Sequence, residues 1–456
     1  MPKLARTAAA LIWVSLQAAT TLVGQAAPRV AFSADTVRVD EALVMSATGL
    51  EPGVRATLGL TQITPSSVWK SEAEFVADAD GRIDASRMAA TGGSYEGVDP
   101  MGLFWSGVRV PGAPPDGEAA AEGTRLAVLT VLVDEGVVGA DTVVRLTHDP
   151  RIVITSVTEV GLVASFHRPP GDGPFPGILA MGGSECGLQS AQTSANELAT
   201  YGYAALALAY CVWPGSGGTV PEGMEALPRG LENVPLEYVE AAIAWLAAHP
   251  DVDAARLGVR GGSKGAELAL LVASSNPELQ VVIASVPSHV SWQGITGGRS
   301  GGPSWTRGGE PYPYVPYTSD AELIARYSGG AASEIAHMYR ASLDVPDVVE
   351  PALIPVERIN GPILLLSGKD DLLWPSAYMA EQLVERLREN GFEYEVVHLS
   401  YENAGHALRR PYGPTTHLPV GGSLKMGGTP DGYARASEDL WPELLAFLDR
   451  HLHQQP

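Results

Sequence analysis

The rhythm of hydrophobic and polar positions changes once along the chain. From about Pro28 to Asp149, short apolar runs alternate with polar positions and are broken by turn residues. Thr36-Val37-Arg38-Val39, Ala56-Thr57-Leu58-Gly59-Leu60, Leu126 to Val131 and Thr142 to Leu146 are the clearest. A period of two over short runs predicts strands with one buried face, and their spacing predicts an all-β sandwich over 28–149. Asp78-Ala79-Asp80-Gly81 is expected as a hairpin turn, because calcium-loop spacing would put Ala89 where a glutamate is needed. Met101 to Gly123, with its Pro and Gly, is expected as a surface loop.

From about Pro150 onward, apolar strands alternate with amphipathic helices, the pattern of an α/β domain with a mostly parallel sheet. The predicted strands are Ile178–Met181, Tyr203–Tyr210, Leu257–Arg260, Val281–Ala284, Ile363–Leu366 and Tyr394–Leu399. A helix opened by Pro235 carries Leu236, Val239, Ile243 and Leu246 on one face. A last helix is expected from about Ala436 to Leu452. Residues from about 292 to 355 interrupt the rhythm and are rich in Gly, Pro, Tyr and Trp. They read as an insertion over the site, between two strands of the 150–456 domain.

Composition narrows the function. The 456 residues carry 30 Lys+Arg against 52 Asp+Glu, a formal charge of −22. Nucleic acid and anionic membrane surfaces call for a basic face, so neither is an expected partner. Two cysteines cannot make a cysteine zinc site, and no His-x-x-x-His pair appears, so no metal or other cofactor is expected. Residues 1–26 read as a secretory leader: Lys3 and Arg6, an apolar stretch from Ala8 to Leu16, then the small-x-small ending Gly24-Gln25-Ala26. Once it is cleaved no membrane span remains, and the chain is expected to be exported, to a periplasm or the extracellular space.

The chemistry lies in three separated segments. Gly261-Gly262-Ser263-Lys264-Gly265 is a G-x-S-x-G between a predicted strand and a predicted helix, the setting of a nucleophile elbow. A hydroxyl needs a base, and the base needs an orienting carboxylate. Ser367-Gly368-Lys369-Asp370-Asp371 follows one strand and makes Asp371 the candidate acid, with Asp370 or Asp371 also placed to cap the helix near Ser376. Asn403-Ala404-Gly405-His406 follows the last strand and makes His406 the candidate base. Among the other histidines, His289 follows a strand and is a candidate to line the pocket, while His398 is expected in the core. An oxyanion hole is expected from the Lys264 amide and from Gly183 or Ser184 in the loop after Ile178–Met181. Cys186 and Cys211 close two neighbouring parallel strands, and in an exported chain they are expected to form a disulfide.

The sequence resembles the acyl-CoA thioesterase / bile acid-CoA:amino acid N-acyltransferase family over nearly the whole mature chain. Ala47-Thr48-Gly49-Leu50-Glu51-Pro52-Gly53 and Gly97-Val98-Asp99-Pro100-Met101-Gly102-Leu103 carry the likeness in the first domain. Gly262-Ser263-Lys264-Gly265-Ala266-Glu267, Gly368 to Trp374, Asn403-Ala404-Gly405-His406 and Gly427-Gly428-Thr429-Pro430 carry it in the second. The resemblance implies an immunoglobulin-like domain followed by a dienelactone-hydrolase-like α/β-hydrolase domain. It also implies Ser263 as nucleophile, Asp371 as acid and His406 as base. Amino-acid-conjugating members typically use cysteine as nucleophile, so the resemblance implies hydrolysis of a small-molecule acyl thioester or ester. The chain's negative charge would repel CoA phosphates unless a local basic patch, for which Arg409-Arg410 is the candidate, compensates. A carboxylesterase or lactone hydrolase on the same triad, acyl transfer to an amine, and a binding protein with a relict triad are the alternatives.

Overall fold

The computed structural model describes residues 27–114, 119–213, 220, 222–296, 301–322, 325 and 332–453. The leader expected over 1–26 lies outside the described residues. Two compact units emerge: one extends to Thr147 and also takes in Tyr412–Thr416, and the other holds His148–Pro411 and the chain from His417. Among the described residues, no helix is long and apolar enough to cross a membrane.

The first unit is β-rich. A three-stranded sheet joins Arg29–Phe32, Met45–Thr48 and Ile83–Asp84, and a seven-stranded sheet is built on Arg55–Ile63, Val68–Val76, Thr124–Val133 and Gly136–Leu146. Burial alternates strictly along Arg55–Ile63 and Val68–Val76, so one face of each packs inward while the other stays polar. At Asp78, one carboxylate oxygen accepts the Asp80 and Arg82 amides, and Gly81 takes φ +68° to finish the turn. The reading of Met101–Gly123 as a surface loop needs correction. Gly102–Trp105 is a short buried helix, and Val108–Val110 is a strand paired with Val68–Lys70. The Pro and Gly residues marked the turns, but Leu103 and Phe104 are too apolar to stay outside. Gln62 Nε2 and Ser71 Oγ satisfy the carbonyls of Phe104 and Leu103.

The second unit is organised by one eight-stranded sheet. Its strands are β1 (Val153–Val157), β2 (Ala164–Arg168), β3 (Phe175–Met181), β4 (Ala204–Leu208), β5 (Val252–Gly262), β6 (Leu279–Ser285), β7 (Ile363–Gly368) and β8 (Val396–Tyr401). They lie in the order β1-β2-β4-β3-β5-β6-β7-β8. The pairs β1–β2 and β2–β4 are antiparallel, and all later pairs are parallel. The helices on its two faces are α1 (Leu188–Thr200), α2 (Leu236–Ala248), α3 (Lys264–Ala273), α6 (Ser376–Glu389) and α7 (Pro430–Leu448). The insertion contributes α4 (Ala336–Leu343) and α5 (Pro346–Ala352).

The strands explain this layering. A strand points successive side chains to opposite faces, and here both faces are apolar. Leu179, Leu206, Val282 and Leu365 face a core with α2, α3 and α6, while Ile178, Ala205, Val281 and Leu364 face a second core with α1 and α7. The result is a helix–sheet–helix sandwich with the strand order of an α/β-hydrolase. Element ends differ by a few residues from those expected. The last helix starts six residues early because Thr429 Oγ1 accepts the Gly432 amide and Pro430 takes the first turn.

Candidate active site

Every candidate side chain stands at the carboxyl end of a strand of this sheet. Ser263 follows β5, Asp371 follows β7, His406 follows β8, and the Gly182–Gly187 loop follows β3.

The elbow is shaped by two glycines. A Cβ on Gly261 would come within 2.0 Å of the Gly265 carbonyl oxygen, and one on Gly265 within 2.0 Å of the Gly182 carbonyl oxygen. Gly262, by contrast, faces open space. Between them Ser263 takes φ 55° and ψ −121°, a strained backbone for a residue with a side chain. Its amide donates to the Ser285 carbonyl at 2.9 Å, which fixes the turn against β6. Ser263 occupies the N-cap position of α3 yet makes no capping hydrogen bond. Its hydroxyl is turned instead toward His406, with Oγ 2.9 Å from Nε2.

His406 Nδ1 lies 2.9 Å from Asp371 Oδ2. A carboxylate only accepts, so Nδ1 carries the proton and Nε2 is left to accept from the serine hydroxyl. Asp371 is almost fully buried and held from all sides. Oδ1 accepts the Leu373 and Trp374 amides at 3.0 and 3.1 Å, and Oδ2 also accepts Ser376 Oγ at 2.7 Å. It therefore organises the start of α6 and orients the imidazole at once. Asp370 does neither; its amide donates to the Ala404 carbonyl. The His406 amide donates to the Met426 carbonyl at 2.9 Å, and Trp374 meets the imidazole in a T-shaped contact with ring centres 5.8 Å apart.

Two cavities meet at Ser263. A cleft of about 470 Å³ carries the charged side chains of Arg260, Arg409 and Glu185 beside His406, among apolar and glycine neighbours. A mostly apolar chamber of about 340 Å³ is lined by Ile295, Tyr317, Met338, Tyr339 and Trp374, four of the five from the insertion. Ser184, Ser263 and Leu373 line both. Arg409 faces the cleft, whereas Arg410 is drawn to Glu197, which Arg260 also pairs with. His289 lines neither cavity. It is buried against Tyr378, and burial together with the nearby Arg340 charge pushes its pKa down to about 4. His398 donates to or accepts from Ser367 Oγ inside the sheet.

The two oxyanion candidates in the β3 loop are not equivalent. The Gly183 amide is already taken, donating to Glu185 Oε1 at 2.9 Å. Gly183 as donor is therefore corrected. Among the described residues no acceptor takes the Ser184 or Lys264 amides. Lys264 is the first residue of α3, where an amide has no partner in its own helix. Cys186 and Cys211 are disulfide-bonded.

Several residues in the site carried no sequence signal. The Lys264 side chain is fully buried and pairs with Glu267 at 2.7 Å, one helical turn on. Glu267 Oε1 also accepts the Trp292 amide at 3.0 Å and Trp305 Nε1 at 2.6 Å. Burial pushes the ammonium below and the carboxyl above their ordinary pKa values, and mutual attraction opposes both shifts. The i, i+3 spacing of Lys264 and Glu267 was the one available hint. Among the described residues, no group of three His, Cys, Asp or Glu side chains is placed to hold a metal ion.

Comparison with known proteins covers both units. The family described as "Acyl-CoA thioester hydrolase/BAAT N-terminal region" matches residues 40–159, and "BAAT / Acyl-CoA thioester hydrolase C terminal" matches residues 234–454. Mouse acyl-coenzyme A thioesterase 3 is 30% identical, over 91% of this chain and 91% of its own length. Human acyl-coenzyme A thioesterase 1 is 31% identical, over 91% of this chain and 94% of its own. Among solved structures, a putative dienelactone hydrolase from Klebsiella pneumoniae subsp. pneumoniae MGH 78578 is similar over 66% of this chain and 99% of its own, with 19% identity and a TM-score of 0.40.

Proposed function

Because the chain belongs to the BAAT / acyl-CoA thioester hydrolase family, we propose that it is a serine thioesterase that hydrolyses acyl-CoA through an acyl-enzyme. One observation carries the reading. A hydrogen-bonded row of Asp371, His406 and Ser263 ends where an apolar chamber meets a cleft that carries charged side chains. The chamber suits an acyl chain, and the cleft, with Arg260 and Arg409, suits the polar leaving group.

In this reading, His406 Nε2 takes the Ser263 proton as Oγ attacks the thioester carbonyl. The Lys264 amide and one amide of the β3 loop stabilise the oxyanion, helped by the positive end of α3. The tetrahedral intermediate collapses, its carbon–sulfur bond breaks, and His406 returns the proton to the departing thiol. The acyl group stays on Ser263. Water then attacks the acyl ester with His406 again as base, the carbon–Oγ bond breaks, His406 returns the proton to Ser263 Oγ, and the free acid leaves. Asp371 holds the imidazole in place and stabilises the transient imidazolium.

The test is release of free thiol from a panel of acyl-CoAs. Ser263→Ala is expected to lose on the order of 10⁴-fold or more in kcat. Wild-type rates in that variant would overturn the serine mechanism. Slow thioester turnover beside fast aryl-ester hydrolysis would make the enzyme a carboxylesterase.

A further inference from the structure

The loop after β3 is gripped by one short stretch of chain just past β4, from Tyr210 to Trp213. The Tyr210 hydroxyl donates to the Gly182 carbonyl at 2.9 Å and also contacts that of Gly183. Trp213 Nε1 donates to the Ser184 carbonyl at 2.8 Å. The Tyr210 amide donates to the Cys186 carbonyl at 2.9 Å, and the Cys186–Cys211 disulfide closes the same junction. Cys186 itself sits at φ 43°, a conformation a side-chain-bearing residue holds only when its surroundings impose it. From inside the loop, Glu185 ties down the Gly183 amide and accepts the Ser190 hydroxyl.

Among the described residues, no acceptor takes the amides of Gly182, Ser184 and Glu185 in this loop, and position decides between them. A scissile carbonyl must sit where both cavities open onto Ser263, and Ser184 is the only loop residue that lines both. We infer that Tyr210, Cys211 and Trp213 form a clamp that presents the Ser184 amide as the second oxyanion donor, with the disulfide as its covalent fastening. Tyr210, Trp213 and Glu185 are positioning residues here; they act through Ser184 and touch no reacting atom. Burial and the charges of Glu185 and Glu267 hold the Tyr210 hydroxyl well above its ordinary pKa, so it remains a donor throughout the working pH range. The inference rests on the serine acyl-enzyme reading and deepens it.

A clamp of this kind acts on the transition state. Loosening it should lower kcat and leave KM nearly unchanged, because the ground-state carbonyl needs the donor far less than the oxyanion does. The chain has only two cysteines, so a reductant acts on one bond. Dithiothreitol, itself oxidised to its cyclic disulfide, supplies two electrons and two protons and leaves two thiols.

The experiment compares oxidised and reduced wild type and Trp213→Phe, which changes a partly exposed residue. Near-ultraviolet circular dichroism checks that each is folded, and thiol titration checks the redox state. Two rates are measured: kcat for an acyl-CoA, and the second-order rate at which a fluorophosphonate labels Ser263. Phosphonylation puts an oxygen into the same hole without needing a thioester substrate. Reduction and Trp213→Phe are each expected to lower both rates about tenfold or more, with KM changed less than about twofold. Unchanged labelling in both folded, altered forms overturns the clamp. Slowed labelling beside no thioester turnover in any form supports the clamp and overturns the thioesterase reading.

Discussion

Ser263 shows at a single residue what the site requires. Its backbone costs about 1–3 kcal/mol relative to a relaxed conformation, and the unused capping bond forgoes about 1 kcal/mol more. Both follow from aiming the hydroxyl at His406 rather than at its own helix. The Asp371 carboxylate is held by four donors, so its replacement separates geometry from charge. Asp371→Asn can keep the acceptor for Leu373 and Trp374 but offers His406 an ambiguous partner. We expect kcat to fall on the order of 10³- to 10⁴-fold with KM little changed, read by steady-state kinetics on protein whose circular dichroism matches the wild type. A kcat within tenfold would mean that the carboxylate serves α6 alone. The three triad residues were legible in the sequence because each sits in a local setting of its own: a strand, a turn rich in glycine, and a chain order imposed by the fold. Glu185 was not, because its role depends on an amide two residues back in a loop whose shape no sequence pattern announces. The same holds for Gly183, whose amide looked as available as that of Ser184 until Glu185 was seen to occupy it.

At the level of elements, what was readable followed from periodicity. Strands β3, β4, β6 and β7 were marked by apolar runs of four or more residues, as expected where a sheet is covered on both faces, and β5 and β8 by shorter ones. The antiparallel edge was missed: β1 is largely exposed, and β2 mixes Ser165 and His167 into its run. The root of the insertion was equally silent, since its fastening is a contact between elements. Glu267 on α3 holds the Trp292 amide and the Trp305 indole while balancing Lys264. Removing one charge of such a pair strands the other in the core, at about 3–5 kcal/mol. Glu267→Gln should lower stability by that amount in urea unfolding. Adding Lys264→Met to it should restore part of the loss, because the glutamine oxygen still serves both tryptophans and no buried charge remains. If the double variant is less stable than Glu267→Gln alone, the pair is not the source of the cost.

Across the whole molecule, acid should be the weak side. His289, His167 and His398 are held neutral by burial, with their pKa values pushed below the ordinary 6.5, that of His289 to about 4. Above pH 6.5 neither the folded nor the unfolded form protonates them and stability is complete. As pH falls from 6.5 toward 4, the unfolded chain binds protons that the folded one refuses, and stability declines. For His289 alone the loss at pH 4.5 is about 2 to 3 kcal/mol. Urea midpoints at pH 7 and pH 4.5 should therefore differ, and the gap should narrow by about that amount in His289→Gln; an unaltered gap would place the acid sensitivity elsewhere. The edge of the sheet has a different kind of rigidity. A Cβ on Gly265 would run into the Gly182 carbonyl, and one on Gly405 would come within 2.1 Å of the Met426 carbonyl. Anyone redesigning this enzyme for a bulkier substrate can thus carve among Tyr317, Tyr339 and Met338 of the insertion. Along the rim where the reaction is run, the wall is main chain, and there is nothing left to trim.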